Sequence, residues 1–220
     1  MKFTIDDFLM NSFCMAKDES EHVRFGRRMK AAGFDRIPRL YRGNYPKVLF
    51  NAGKTDVDVY YCALNHYVLV NMALTLDLPF ITVFESDAFP MKSCRDELSM
   101  FFDEHGVPED ADELTFGNIN FIRDYSGKFG LKDVRDGYGR IKGDLWGTHA
   151  AIYFRRGYEK WLKSYLDRKD QIGPDFYNWL VPNAYSSERS FFIQWKEELQ
   201  YPTYLLDPQN LSDFPDGKLI

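Results

Sequence analysis

Strands and helices that alternate at crossover spacing predict an α/β domain built on a mainly parallel sheet. Three observations carry that expectation. Short apolar or β-branched runs recur along the 220 residues, each followed by a segment with a 3.6-residue apolar period. One run, Phe80-Ile81-Thr82-Val83-Phe84, is apolar almost throughout, as a strand covered on both faces requires. No repeat, low-complexity tract or Pro/Gly-rich linker interrupts the chain, so residues 1–220 read as a single domain.

Taken in order, Ser12 to Ala16 reads as a short buried strand. Ser20 is placed to cap a helix running to about Ala32, with Phe25, Met29 and Ala32 on one face and Gly33 as its stop. Ile37 to Tyr41 fits a second strand. Val57 to about Leu76 fits a long helix, because Val59, Cys62, Ala63, His66, Leu69, Val70 and Ala73 repeat with the helical period. Leu78-Pro79 ends it, the Phe80 to Phe84 strand follows, and the next helix turns Cys94, Leu98, Phe101 and Phe102 inward. A strand near Leu114 to Phe116 precedes a Gly-rich loop region from Gly117 to Gly143. Leu145 to Phe154 reads as a strand, Gly157 to about Arg168 as a helix, and Glu188 to Leu199 as a last helix before an extended tail.

Composition excludes more than it identifies. An apolar share of 45% and a charged share of 28% are those of an ordinary globular protein, long enough to bury a core without staples. Acidic residues outnumber basic ones by 33 to 28, and no basic block offers a nucleic-acid footprint, so no nucleic-acid partner is expected. Cys14, Cys62 and Cys94 are widely spaced and odd in number, which fits reduced thiols in a cytoplasmic protein. With neither H-x-x-x-H nor a Cys/His cluster, a zinc site is not expected. Asp6 and Asp7 interrupt what would be the apolar core of a signal peptide, and Val57 to Phe84 is too broken by polar residues to span a membrane. Neither G-x-S-x-G nor a P-loop pattern occurs.

The segment Phe84-Glu85-Ser86-Asp87-Ala88-Phe89-Pro90 carries the most information. Glu85 and Asp87 flank one small residue directly after the buried strand. Ligands of open α/β sheets bind outside the carboxyl ends of strands. Two carboxylates there can hold a hard divalent cation that keeps positions open for substrate phosphates. A nucleotide-sugar donor needs such a cation, because its leaving group is a diphosphate. A solvated acidic turn is the plain alternative.

Neighbouring residues sharpen the picture. Cys62-Ala63-Leu64-Asn65-His66, a helix, and then Phe84-Glu85-Ser86-Asp87-Ala88 resemble the lipooligosaccharide-type glycosyltransferases of family 25, which carry a C-x-L-S-H-like element, a helix and an apolar strand ending in E-D-D-A. Gly147-Thr148-His149-Ala150-Ala151-Ile152-Tyr153 looks like the family's G-T-x-A-Y strand, and Gly173-Pro174-Asp175 stands where the family has P-I-D. The tail from Tyr201-Pro202 through Gln209 to Ser212 resembles the family's ending. Ser86 replaces the middle acidic residue, Asn65 replaces a serine, and Cys14 to His22 lacks the usual Asp-Arg pair. The resemblance implies a GT-A-like single domain with a Rossmann-like sheet flanked by helices. It also implies a UDP-sugar donor, a divalent metal such as Mn²⁺ (or Mg²⁺), inversion at the anomeric carbon and a saccharide acceptor on a surface glycan or lipooligosaccharide. Any membrane contact would then be peripheral, at the inner face.

On that resemblance, Asp87 is the expected direct metal ligand, and Glu85 binds the metal through water or hydrogen-bonds the donor ribose. Asp175 is the expected base for the acceptor hydroxyl, against the alternative that it caps a helix beginning at Phe176; Asp144 is the rival base. His66 either touches the donor side of the cleft or is a buried, hydrogen-bonded residue. Two competing functions are a catalytically inactive relative that only binds glycan or protein, and a metal-dependent nucleotidyltransferase, which would need a glycine-rich loop that Phe13 to Ser20 lacks.

Overall fold

The computed structural model describes residues 2–43, 57–117, 130–142, 148–168, 181–196 and 201–202. The chain opens with α1 (Ile5–Met10), a short helix the sequence reading did not anticipate, held by a capping box in which Thr4 and Asp7 bond each other's backbone amides. β1 (Ser12–Ala16) follows, then α2 (Glu19–Ala31), capped by Asp18 rather than Ser20: the Asp18 carboxylate accepts from the Glu21 amide at 3.0 Å. β2 (Arg39–Arg42), α3 (Val57–Thr75), β3 (Phe80–Glu85), β4 (Ala88–Pro90) and α4 (Cys94–His105) come next. After β5 (Glu113–Thr115) the chain forms β6 (Gly130–Arg135) and β7 (Tyr138–Lys142), then β8 (Ala150–Phe154), a 3₁₀ turn over Arg155–Gly157, and α5 (Tyr158–Arg168). It closes with β9 (Ala184–Ser187), β10 (Phe192–Lys196) and β11 (Tyr201–Pro202).

The main sheet runs β2-β1-β3-β8-β5-β9-β7-β6, and β11-β10-β4 forms a second, smaller sheet. The α/β expectation holds, but the sheet is mixed rather than mainly parallel. β1 pairs parallel with β2 and β3, and β5 with β9, whereas β8 runs antiparallel between β3 and β5, and β7 antiparallel to β6 and β9. β8 is buried along its whole length. A continuous apolar run reports burial on both faces, and it does not encode which way the strand points.

Two further corrections concern loops and termini. The region read as a Gly-rich loop contains the β6–β7 hairpin, turned by Asp136-Gly137 with both residues at positive φ. The helix expected over Glu188 to Leu199 is replaced by β10, which pairs with β4; Phe191 and Phe192 donate their amides to Phe116 O, and Phe191, Phe192 and Ile193 are all buried. Tertiary pairing outweighs the local helical pattern there.

Helices cover both faces of the sheet. Phe25 and Met29 of α2, Leu98 and Phe102 of α4, and Phe8 of α1 pack with Phe80 and Phe84 in one cluster. Ala63, Leu69, Val70 and Ala73 of α3 and Tyr158, Trp161 and Tyr165 of α5 pack with Ile81, Val83, Ala151 and Tyr153 on the other face. Strand alternation therefore sends Phe80 and Phe84 toward α2 and α4, and Ile81 and Val83 toward α3 and α5. Among the described residues, no helix is long and apolar enough to cross a membrane.

Candidate functional site at the end of β3

Glu85 is the last residue of β3, and it continues the alternation that turns Ile81 and Val83 toward α3. On α3, Cys62 and His66 are four residues apart and share a face. The result is a group in which the ligand atoms of Cys62, His66 and Glu85 all lie within 4.8 Å of one another. His66 Nε2 is 3.5 Å from Glu85 Oε1. Its other nitrogen, Nδ1, is 2.9 Å from the Tyr153 hydroxyl of β8. Thr148 donates its hydroxyl to Glu85 Oε1 at 2.7 Å, and the Glu85 amide donates to His149 O at 3.1 Å. Trp161 of α5 tilts against the His66 ring, with centroids 6.4 Å apart.

Electrostatics set the protonation of Glu85 and of its neighbour His149. Burial pushes the Glu85 carboxyl up, but His66, His149 and the Thr148 hydroxyl together outweigh it and hold it well below the usual carboxylate range. Burial pushes the His149 imidazole down, against the opposing pull of Glu85 and of the Phe192 carbonyl, which lies 3.3 Å from Nε2. A carboxylate is thus kept ionised under α3, between two buried histidines.

Ser86 and Asp87 turn the chain from β3 into β4 toward the α2 side. Arg28 of α2 donates to Ser86 O and sits 5.6 Å from the centre of the Phe89 ring. Glu21 accepts from the Lys17 amide at 2.8 Å and from the Ser86 hydroxyl at 3.1 Å, tying the carboxyl end of β1 to that of β3. The charges of Arg28, Glu21 and Asp87 all act on the buried Cys14 thiol, whose pKa burial raises. Glu85 and Asp87, one residue apart in the motif, therefore serve different surroundings: Glu85 meets α3, while Asp87 acts, with Glu21 and Arg28, on the buried Cys14 thiol.

Of the residues singled out from the sequence, Glu85 and His66 meet directly and Asp87 lies two residues beyond, on the turn. Asp144 and Asp175 lie outside the described residues. His66 is fully buried, so it reaches solvent only by way of its neighbours. Sequence reasoning missed Cys62 as a partner of His66, although C-x-x-x-H on a helix carries the spacing, and it missed Glu21 and Thr148 as the groups that bond Ser86 and Glu85, and Tyr153 as the second partner of His66. The statement that no Cys/His cluster exists is corrected by the Cys62–His66–Glu85 group. A separate pocket of about 460 Å³ lies between the end of α4 and the β6–β7 hairpin, lined by His105, Asp136, Tyr138, Arg140 and Tyr185 among others, and includes none of these residues.

Comparison with protein-family models and with curated proteins gives no match. Among solved structures, A197 from STIV is similar to this chain, with a TM-score of 0.43 and 14% sequence identity over 84% of this chain and 85% of that one.

Proposed function

We propose that the chain is a metal-dependent glycosyltransferase of GT-A-like architecture that uses a nucleotide-sugar donor, of UDP type, to extend a saccharide acceptor. The observation that carries the reading is the position of the acidic turn. β2 lies on one side of β1 and β3 on the other, with α2 and α3 on opposite faces, so the order of winding reverses between β1 and β3. Open α/β sheets bind ligands in the crevice outside the carboxyl ends of the strands at such a reversal. Lys17 and Asp18 follow β1 there, and Glu85 ends β3 with Ser86 and Asp87 leading out of it.

The chemistry of that crevice favours a cation. Many nucleotide sites place the phosphates on a helix N-terminus. Here the first turn of α2 is already filled with acid, Asp18 as cap and Glu19 and Glu21 beyond it, so a diphosphate would be repelled unless a cation stood between. A carboxylate is the oxygen donor a hard divalent cation prefers, and Asp87 would hold it, since Glu85 is committed to His66 and Thr148. When bound, the cation neutralises the diphosphate as it departs. Arg28 holds the Ser86 carbonyl and Glu21 the Ser86 hydroxyl in the turn that presents Asp87, and Asp175 or Asp144 would take the proton of the attacking hydroxyl.

UDP with Mn²⁺ should raise the melting temperature of the wild-type chain, because ligand at about 100 times its Kd adds about 2.7 kcal/mol. UDP alone should do little, and Asp87→Asn should remove the effect of the pair while melting normally without ligand. The same absence of a shift with every nucleotide, with and without metal, would refute the reading.

A further inference from the structure

We propose that Cys62, His66 and Glu85 form a second, separate cation site, of the kind that takes Zn²⁺. The donor set is one thiolate, one imidazole nitrogen and one carboxylate oxygen, and it is drawn from one helix face and the end of the adjoining strand. Hard ions such as Mg²⁺ and Mn²⁺ prefer oxygen throughout, whereas thiolate and imidazole together select zinc.

The spacing fits an ion. Zinc binds nitrogen and oxygen at about 2.0–2.2 Å in a tetrahedron, which sets those two ligands about 3.4 Å apart. His66 Nε2 and Glu85 Oε1 are 3.5 Å apart. The widest separation in the group is no more than 4.8 Å. Three protein ligands leave the fourth tetrahedral position to water or a substrate group, the arrangement of a reactive zinc site rather than a closed structural one.

A second observation points to a ligand independently of the spacing. His66 is wholly buried, and its Nε2 faces the Glu85 carboxylate at 3.5 Å, longer than a well-formed hydrogen bond. Tyr153 engages the other ring nitrogen at 2.9 Å. In the tautomer with Nδ1–H donating to the Tyr153 oxygen, Nε2 presents a lone pair to the Glu85 carboxylate; in the other, Nε2–H faces the carboxylate and the Tyr153 hydroxyl donates to Nδ1. The positive centre between Nε2 and the carboxylate is the Nε2 proton when the site is empty, and a bound cation would take that proton's place. A ligating histidine is oriented in this way, with its second nitrogen fixed by an outer partner and the ligating carboxylate held by a hydrogen bond. Tyr153 and the Thr148 hydroxyl fill those two roles here. The site does not depend on the glycosyl-transfer reading, since Asp87 takes no part in it.

Cobalt(II) tests the proposal without any nucleotide. The full chain, stripped with a chelator and titrated with Co²⁺, should bind one equivalent and develop a thiolate-to-cobalt charge-transfer band that added Zn²⁺ abolishes. Cys62→Ser should remove the band. Tyr153→Phe should keep it but weaken binding roughly 10–100-fold, as loss of an outer partner does. A folded wild type with no band, or a band that survives Cys62→Ser and so arises at Cys14 or Cys94, overturns the proposal and leaves a Tyr–His–Glu hydrogen-bonded network. If Cys62→Ser does not fold, alkylation of the wild type decides instead: Zn²⁺ should protect Cys62 from iodoacetamide, and equal labelling with and without zinc refutes the site.

Discussion

One substitution made at two glycines should have opposite effects on stability. At Gly117, a Cβ would stand 2.2 Å from His149 Nε2, 2.4 Å from its Cδ2 and 3.0 Å from the Phe192 carbonyl oxygen. His149 is itself buried, so its ring must swing away and give up its contact with that carbonyl. Overpacking of a filled core costs about 1–3 kcal/mol, and a buried polar group left without its partner adds about 1 kcal/mol or more. Gly117→Ala should therefore lose about 2–4 kcal/mol, which for a chain of this size lowers Tm by about 5–15 °C. At Gly26, inside α2, the new methyl would touch only Ile37, its Cγ2 at 3.4 Å and its Cγ1 at 3.9 Å. Alanine is better than glycine in a helix interior by about 0.5–1 kcal/mol, so Gly26→Ala should raise Tm by about 1–4 °C. Both are read by calorimetry and by urea unfolding followed in the far ultraviolet. If Gly117→Ala melts within a degree or two of wild type, His149 does not pack over Gly117 and the geometry around Glu85 is wrong. If Gly26→Ala is strongly destabilised, α2 lies closer to Ile37 than described.

The remaining predictions concern charge. His149 is held neutral and Glu85 is held ionised, so in both cases the unfolded chain binds more protons than the folded one. Stability is complete above the ordinary histidine value of 6.5 and falls with pH, first through His149 and then, below 4.5, through Glu85. Urea unfolding at about pH 8, 5.5 and 3.5 should show His149→Gln reducing the loss over the first interval and Glu85→Gln over the second; unchanged slopes in both variants would contradict the assignment. Asp112 is buried and accepts from Lys160 Nζ at 2.7 and 2.8 Å, with Arg156 3.5 Å away and the Asn183 amide at 3.3 Å. Lys160→Met should cost about 1–2 kcal/mol by urea unfolding, less than the 3–5 kcal/mol typical of a broken buried pair, since two partners remain. A variant as stable as wild type would show that Arg156 and Asn183 suffice.

What the sequence determined by itself was local. β1 over Ser12 to Ala16, α3 from Val57, the β3 run and the inward face of α4 all follow from apolar period and from breakers such as Leu78-Pro79. Those signals sit within a turn or two of the residues they describe. The same proximity put Glu85 and Asp87 at a strand end, where the motif suggested one shared task. Only the tertiary structure decided that β8 enters antiparallel between β3 and β5, because a strand buried on both faces is apolar in either direction. Only the tertiary structure replaced the expected last helix with β10, whose partner β4 lies about a hundred residues earlier. The division of the acidic motif was decided there as well. Alternation along β3 sends Glu85 under α3 to His66 and Cys62, while Asp87, on the turn into β4, acts on Cys14 of β1. A side chain's face depends on the strand's partners and on which helix covers it, and neither is written within the motif itself.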